Sequence, residues 1–286
     1  MKKFLVFLIV TAIYLALPIF AMDENSRAVI AADLTDEQIA EVYQSFGITR
    51  GSVPELTITN AVERSYLEGV VPDEQLGTKC ISCVLISLGD DGITMDTENI
   101  NWCTDAMYMS AVTTAGIENA DIKVTAPVPV SGTAALAGIY LAYEDMTGQT
   151  LTDEAKQAGA LELLTTAQLS DELGSDEALT LITELKLIIE ETKNMSDEEL
   201  AEKIDETADE YNISLNDYQR EKLVDLCRGF EKLDPEALKD KVESMKETLQ
   251  KMGELKDKTV SFFSALSEFF SAVGKFFSKI FAIFSN

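Results

Sequence analysis

Four cysteines and a complete lack of histidine set the limits of the chemistry open to this 286-residue chain. Without histidine there is no Ser-His-Asp or Cys-His nucleophile, no H-E-x-x-H zinc hydrolase and no imidazole general acid or base. Catalysis would fall to carboxylates, Lys, Tyr or Cys. Cys80-Ile81-Ser82-Cys83 has the C-x-x-C spacing of dithiol enzymes, but those enzymes hold the first thiol at a helix N-terminus, where its thiolate is stabilised. Here the pair sits in Cys-Ile-Ser-Cys-Val-Leu-Ile-Ser-Leu, which has strand composition. A strand projects residues three apart onto opposite faces, so Cys80 and Cys83 are not expected to bond each other. If Asp90-Asp91-Gly92 turns a hairpin, its register brings Cys80 towards Cys103, and that pair is the favoured disulfide. Cys227 stands alone on a later helical segment and reads as a buried thiol, which leaves no paired ligand set for zinc.

A second candidate is Pro127-Val128-Pro129-Val130-Ser131-Gly132-Thr133, which joins a strand end to a helix start. Backbone N–H groups and the helix dipole can hold an anion at such a junction, with Ser131 or Thr133 as hydroxyl partners and Gly132 allowing close approach. The competing and favoured reading has Ser131 capping its own helix and Gly132 easing helix-to-strand packing. Neither a P-loop lysine, nor a dinucleotide glycine pattern, nor a nucleophile elbow accompanies the loop. Trp102, the single tryptophan, could form with Tyr108 a ledge for a sugar or peptide ring, although a lone Trp beside a helix start is more often core. Asp90, Asp91, Asp96 and Glu98 crowd the expected turn and admit calcium, but lack the EF-hand order, so a solvated turn is favoured. Glu144 and Asp145 are helical neighbours that do not converge on one substrate atom. No catalytic residue and no metal site is expected, and calcium is the one cofactor the sequence leaves open.

The elements that must position these residues divide the chain in two. Thr35-Asp36-Glu37-Gln38 is a capping box opening a helix that stops at Gly47. Glu55–Thr59 reads as a strand, and Asn60 with Glu63 opens a helix through Leu67. Lys79–Leu88 and Ile93–Trp102 read as the hairpin, Thr104 starts a helix ended by Gly116, Asp121–Pro129 returns as a strand, and Ser131 starts a helix to Gly148. From Thr152 onward helix starts recur at Ser175, Ser196, Ser214 and Asp234-Pro235, with apolar residues three and four apart between them. The expected architecture is α+β: a small mixed sheet with helices over residues 22–150, then a helical region over 151–257.

Both ends carry their own signals. Lys2, Lys3, the apolar run Phe4–Leu17, Pro18 and Ala21 make a signal peptide over residues 1–21, too short in its apolar part to span a bilayer. Removing it leaves 21 basic against 50 acidic residues, a net charge of −29. Such a surface repels nucleic acid and anionic membranes and suits solubility or cationic partners. Residues 258–286 form an amphipathic stretch whose Phe262, Phe263, Leu266, Phe269, Phe270, Phe276 and Phe277 share one helical face. That stripe fits an interfacial membrane helix, or a helix packed on its own domain, an envelope protein or a second copy of the chain.

Several short pieces recur in a fixed order along the first two thirds of the chain. They include Ala31-Ala32-Asp33-Leu34-Thr35-Asp36-Glu37-Gln38, Ile100-Asn101-Trp102-Cys103-Thr104, Met107-Tyr108, Thr114-Ala115-Gly116, Ala126-Pro127 and Pro129-Val130-Ser131-Gly132-Thr133-Ala134-Ala135-Leu136. In these the chain resembles the secreted bacterial proteins of domain of unknown function 1002, the YpuA-like proteins, from Arg27 to about Met195. The resemblance implies export and supplies no reaction. The resulting expectation is a secreted protein, peripheral on the cell envelope, acting as a non-enzymatic binding module with a docking helix at its C-terminus. A carboxylate-dependent hydrolase of envelope polymers and a calcium-dependent adhesion module are the alternatives.

Overall fold

The structure is a computed structural model that describes residues 22–67 and 78–255. Five strands, β1 (Ser26–Ala31), β2 (Glu55–Ile58), β3 (Cys83–Leu88), β4 (Ile93–Ile100) and β5 (Ala120–Val130), form one mixed sheet in the order β2-β1-β3-β5-β4. β1 pairs parallel with β2 and β4 with β5, while β3 is antiparallel to both β1 and β5. Helices α1 (Asp36–Phe46), α2 (Asn60–Leu67), α3 (Asp105–Thr114) and α4 (Thr133–Thr147) alternate with the strands. The helical half follows as α5 (Asp153–Leu173), α6 (Ser175–Leu187), the single turn α7 (Ile189–Thr192), α8 (Asp197–Asp209), α9 (Asp217–Phe230) and α10 (Pro235–Met252). The fold is therefore α+β with a helical C-terminal half, as its patterning implies.

The caps explain most helix starts. Thr35 with Gln38 and Ser196 with Glu199 close capping boxes, Thr104 and Thr152 accept from the third residue of their helices, and Asp234 caps α10 ahead of Pro235. Two starts differ from expectation. α9 is capped by Asn216, two residues beyond Ser214, because its carboxamide reaches Gln219 N while the Gln219 side chain reaches back. α4 begins after Gly132, in the left-handed region at φ 97°, and Ser131 is not its cap.

The strands depart further. β3 and β4 follow each other through the Asp90-Asp91-Gly92 turn but do not form a hairpin, because β5 lies between them. β5 is buried at Ala120, Ile122, Val124, Thr125 and Ala126, and so takes an inner position. β4 alternates with one solvated face and suits the edge. From that edge the chain returns to the inner position of β5 through the crossover helix α3. β1, for which the sequence offered no element, is almost wholly buried and sits second in the sheet.

α3 is buried on every side from Ala106 to Thr114, as a helix must be when the sheet lies on one flank and the helical half on the other. One continuous apolar cluster runs from Ala28 to Leu249 across it. The change of pattern near residue 150 thus marks a change of element type within a shared core. α4 crosses the sheet at Gly138, where a Cβ would stand 3.2 Å from Val84 Cγ2. Among the described residues no helix is long and apolar enough to cross a membrane.

Candidate functional site

Four of the five strands run the same way, so the carboxyl ends of β1, β2, β4 and β5 and the start of β3 share one end of the sheet. Open α/β sheets present their ligand-binding loops at such an end. Here it gathers Cys80, Trp102, Cys103, Ser131, Gly132 and Thr133, which the sequence singled out, together with Asn99 and Thr125, which it did not.

The Ser131 loop is knitted to its neighbours. Cys103 N donates to the Ser131 carbonyl at 3.2 Å, and the buried Tyr108 hydroxyl donates to the Gly132 carbonyl. A Cβ at Gly132 would come within 2.6 Å of Ile100 Cγ2 and closer still to Tyr108 Oη, so glycine is required for the approach as well as for φ. Ser131 itself is exposed, whereas Thr133 is buried. Trp102 is half-buried, and its Nε1 donates to Asp171 Oδ2 at 3.0 Å near the end of α5. The Ser131 loop is therefore a clamp on Cys103 and α3, the neighbouring Trp102 ties that end of the sheet to the helical half, and Tyr108 is core.

The cysteines do not meet as the hairpin register required. With β5 inserted, Cys83 pairs with Thr125 and no ladder leads from Cys80 to Cys103. All four cysteines are free, buried thiols. Burial pushes each of them up to about 12, which keeps them protonated and poorly nucleophilic. Near Cys80 lies Glu63 of α2, itself buried; desolvation raises its carboxyl to about 7 against the partial relief of a 3.2 Å hydrogen bond from Asn60 Nδ2.

A second polar group was invisible in sequence. Lys186 of α6 and Glu162 of α5, both 0% exposed, meet at 2.8 Å between α3, α5 and α6. The Lys186 ammonium spends its three protons on Glu162 Oε1, Ser110 Oγ (2.8 Å) and Thr114 Oγ1 (3.3 Å). Both hydroxyls in turn donate to Glu162, Thr114 at 2.5 Å. A serine beside a lysine matches a nucleophile and its base in composition alone, because substrate has no path to atoms with no exposed surface. Desolvation lowers the Lys186 pKa, opposed by the adjacent carboxylate.

Two of the surface cavities adjoin acidic residues that the sequence singled out. One, of about 630 Å³, lies between the Asp90-Asp91-Gly92 turn, the end of α3 and α10; Asp90, Asp91, Glu118 and Asp240 rim it, and Lys241 is bound to Glu118 at 3.0 Å. The other, of about 390 Å³, lies between α1 and the carboxyl ends of β4 and β5, and Glu41, Gln44, Ser45, Glu98 and Asn99 form its walls. Ser131, Trp102 and the cysteines line neither. The four acidic residues weighed for calcium are split between them: Asp90 and Asp91 face α10, Glu98 faces α1, and Asp96 lies two residues before it on β4. Among the described residues no group of three or more Cys, Asp or Glu is arranged to hold a metal ion. The expected signal peptide over residues 1–21 and the Phe-rich stretch, with Phe262, Phe263, Leu266, Phe269, Phe270, Phe276 and Phe277, lie outside the described residues.

The profile of the family described as "Protein of unknown function (DUF1002)" matches residues 30–252, which span the sheet, the clamp loop and the described helices up to the end of α10. The chain belongs to that family. The chain is also similar to "Uncharacterized protein YpuA" of Bacillus subtilis (strain 168), 33% identical over 210 residues that cover 72% of this chain and 71% of the relative. No solved structure matches the chain. The DUF1002 match thus includes every described strand except the start of β1, and both halves of the buried Lys186–Glu162 cluster.

Proposed function

We propose that this protein is exported and works at the cell envelope as a non-enzymatic binding module, whose acidic α+β body engages a partner and whose Phe-rich C-terminal segment docks on a membrane or an envelope protein. The observation that carries the reading is the disposition of the reactive side chains. The thiols are buried and held protonated, the Ser110–Lys186 pair is sealed, and the Ser131 loop is tied into the architecture by Cys103 and Tyr108. Carboxylates dominate the accessible charged surface, and a net charge of −27 on the whole chain makes it a recognition surface for cations more readily than for polyanions.

The terminal segment is the natural docking element, because its apolar face would stand exposed unless something covers it. Deleting residues 260–286 and fractionating the producing cells tests this. The expected result is loss of the envelope-bound fraction, with the truncated protein appearing in the medium. Unchanged envelope association and unchanged oligomer size in the truncated protein would overturn the docking role.

A further inference from the structure

We infer that the cavity between α1 and the ends of β4 and β5 is a binding site for a small hydroxylated molecule carrying a protonated amine, of the amino-sugar type. The inference deepens the binding-module reading, resting on the α+β body as a recognition surface and not on where the C-terminal segment docks.

The cavity exists because the sheet is interrupted at one place. Glu98 pairs with Thr125 and Ile100 with Val130, so one residue of β4, Asn99, faces four of β5, Ala126 to Pro129. Pro127 and Pro129 have no N–H to give to the ladder, and the parallel register cannot continue through them. The slack is taken up by Asn99, a non-glycine residue in the left-handed region at φ 59°. Its side-chain Nδ2 donates to the Ala126 carbonyl at 2.8 Å and holds it there. Bulges and strained non-glycine residues of this kind gather at binding sites, where they re-aim side chains. The strand that bows away is the Ala126-Pro127-Val128-Pro129 run, part of the densest motif of the sequence, for which the clamp loop gives no account.

The cavity also has a definite chemistry. At about 390 Å³ it falls in the size range of small-molecule sites. Glu41 and Glu98 face it, and no lysine or arginine among the described residues lines it. Lys123, on the same face of β5 as Thr125, sits opposite Asp96 two pairs down the ladder and is not among the lining residues. The Glu98 carboxylate is pre-oriented: the Ser45 hydroxyl donates to its Oε2 at 2.5 Å and stands 3.0 Å from the hydroxyl of Thr125, which is buried under α1. That leaves the other oxygen of Glu98 and both of Glu41 to receive a cation, with the Gln44 amide as an uncharged donor and acceptor beside them. Apolar lining is confined to Val42, Ala126 and Pro127, too little for an aromatic or acyl ligand. An anion would meet two carboxylates and no positive charge. A compact ammonium with hydroxyl groups satisfies each of these constraints.

The test is a titration of the chain from Met22 to Asn286 with D-glucosamine, followed by backbone amide NMR at concentrations up to about 50 mM, enough to reveal millimolar affinity. The expected result is shifts confined to the cavity, at Gln44, Ser45, Asn99 and Thr125, with N-acetyl-D-glucosamine, which lacks the charge, binding at least about tenfold more weakly. Glu98→Gln should weaken glucosamine binding by about tenfold or more while leaving the rest of the spectrum in place. Absence of cavity shifts with glucosamine, equal affinity for the acetylated sugar, or undiminished binding by Glu98→Gln would each overturn the proposal. The protein lacking residues 260–286 should bind glucosamine as the longer chain does, so failure of the docking role and failure of the site are read separately.

Discussion

Two groups in this molecule are built from the same parts, a carboxylate held by hydroxyls, and they differ in everything else. In the interior, Glu162 is held by Ser110 and Thr114 and faced by Lys186, with no exposed surface on either charge. At the surface, Glu98 is held by Ser45 and has Glu41 for a neighbour, with no cation among the described lining residues. The first is complete: each proton of the ammonium has an acceptor. The second lacks only a positive charge. A satisfied charge cluster where three helices cross fixes their register, whereas a pre-oriented carboxylate open to solvent is arranged for something that arrives from outside.

The largest way to break this comparison is to remove the interior cation. Lys186→Met leaves Glu162 buried without its counter-charge and should cost about 3–5 kcal/mol, a fall in melting temperature of roughly 10 °C for a chain of this size. Adding Glu162→Leu to that variant should recover most of the loss, since two apolar side chains leave no stranded charge. Thermal melts of the two variants measure it. A single variant that melts like the parent would show that the cluster does not hold the helices together.

How much of this was legible in the sequence depends on the range of the interactions concerned. The caps at Thr35, Thr104, Thr152, Ser196 and Asp234 are written in residues three or four apart, and they located the helices. The order of the strands is not local. Ser26–Ala31 is a short run with no turn signal of its own, and it becomes a strand only because Glu55–Ile58 and Val84–Ser87 lie on either side of it. The β3–β4 turn looked like a hairpin because nothing near Asp90 reports that β5, some thirty residues on, will intervene. Lys186 and Glu162 read as two more charges in a strongly charged helical half. The one available sign was Ser110 and Thr114, four apart on a largely apolar helix, which mark a polar stripe in need of a partner. Pro127 and Pro129 cannot donate to a ladder, yet the sequence reads as a strand straight through them, and the cavity beside the break needs α1, which arrives from more than eighty residues away.

An intermediate case sharpens the contrast. Glu63 is buried like Glu162, but desolvation outweighs the hydrogen bond from Asn60 and the nearby charge of Arg64, and its carboxyl is raised to about 7. The folded chain therefore holds this proton more tightly than the unfolded chain, where glutamate titrates near its ordinary value of 4.5. The stability it contributes is full below that value and is lost as the pH rises through about 7, by about 3 kcal/mol at most. Glu63→Gln should flatten the pH dependence of unfolding between those limits and leave the protein more stable than the parent at pH 8. Urea denaturation at pH 5 and pH 8 reads both effects. A variant with the parent's slope would mean that Glu63 reaches water or a cation when ionised.

The smallest expected effect is the one that separates the two hydroxyl-held carboxylates most directly. If Glu98 is there for a ligand, the fold does not depend on its charge, and Glu98→Gln should shift the free energy of unfolding by no more than about 0.5 kcal/mol. Glutamine keeps an acceptor for the Ser45 hydroxyl, so the only thing removed is the negative charge, and next to Glu41 its removal relieves repulsion. A loss of about 2 kcal/mol or more, of the order expected for breaking a buried charged hydrogen bond, would place Glu98 in the same class as Glu162. The cavity would then be a gap left by the Pro127–Pro129 bulge, with its carboxylate serving the sheet edge. A near-zero change leaves its orientation by Ser45 and Thr125 without a structural purpose, and recognition of a cation is the use that the geometry supports.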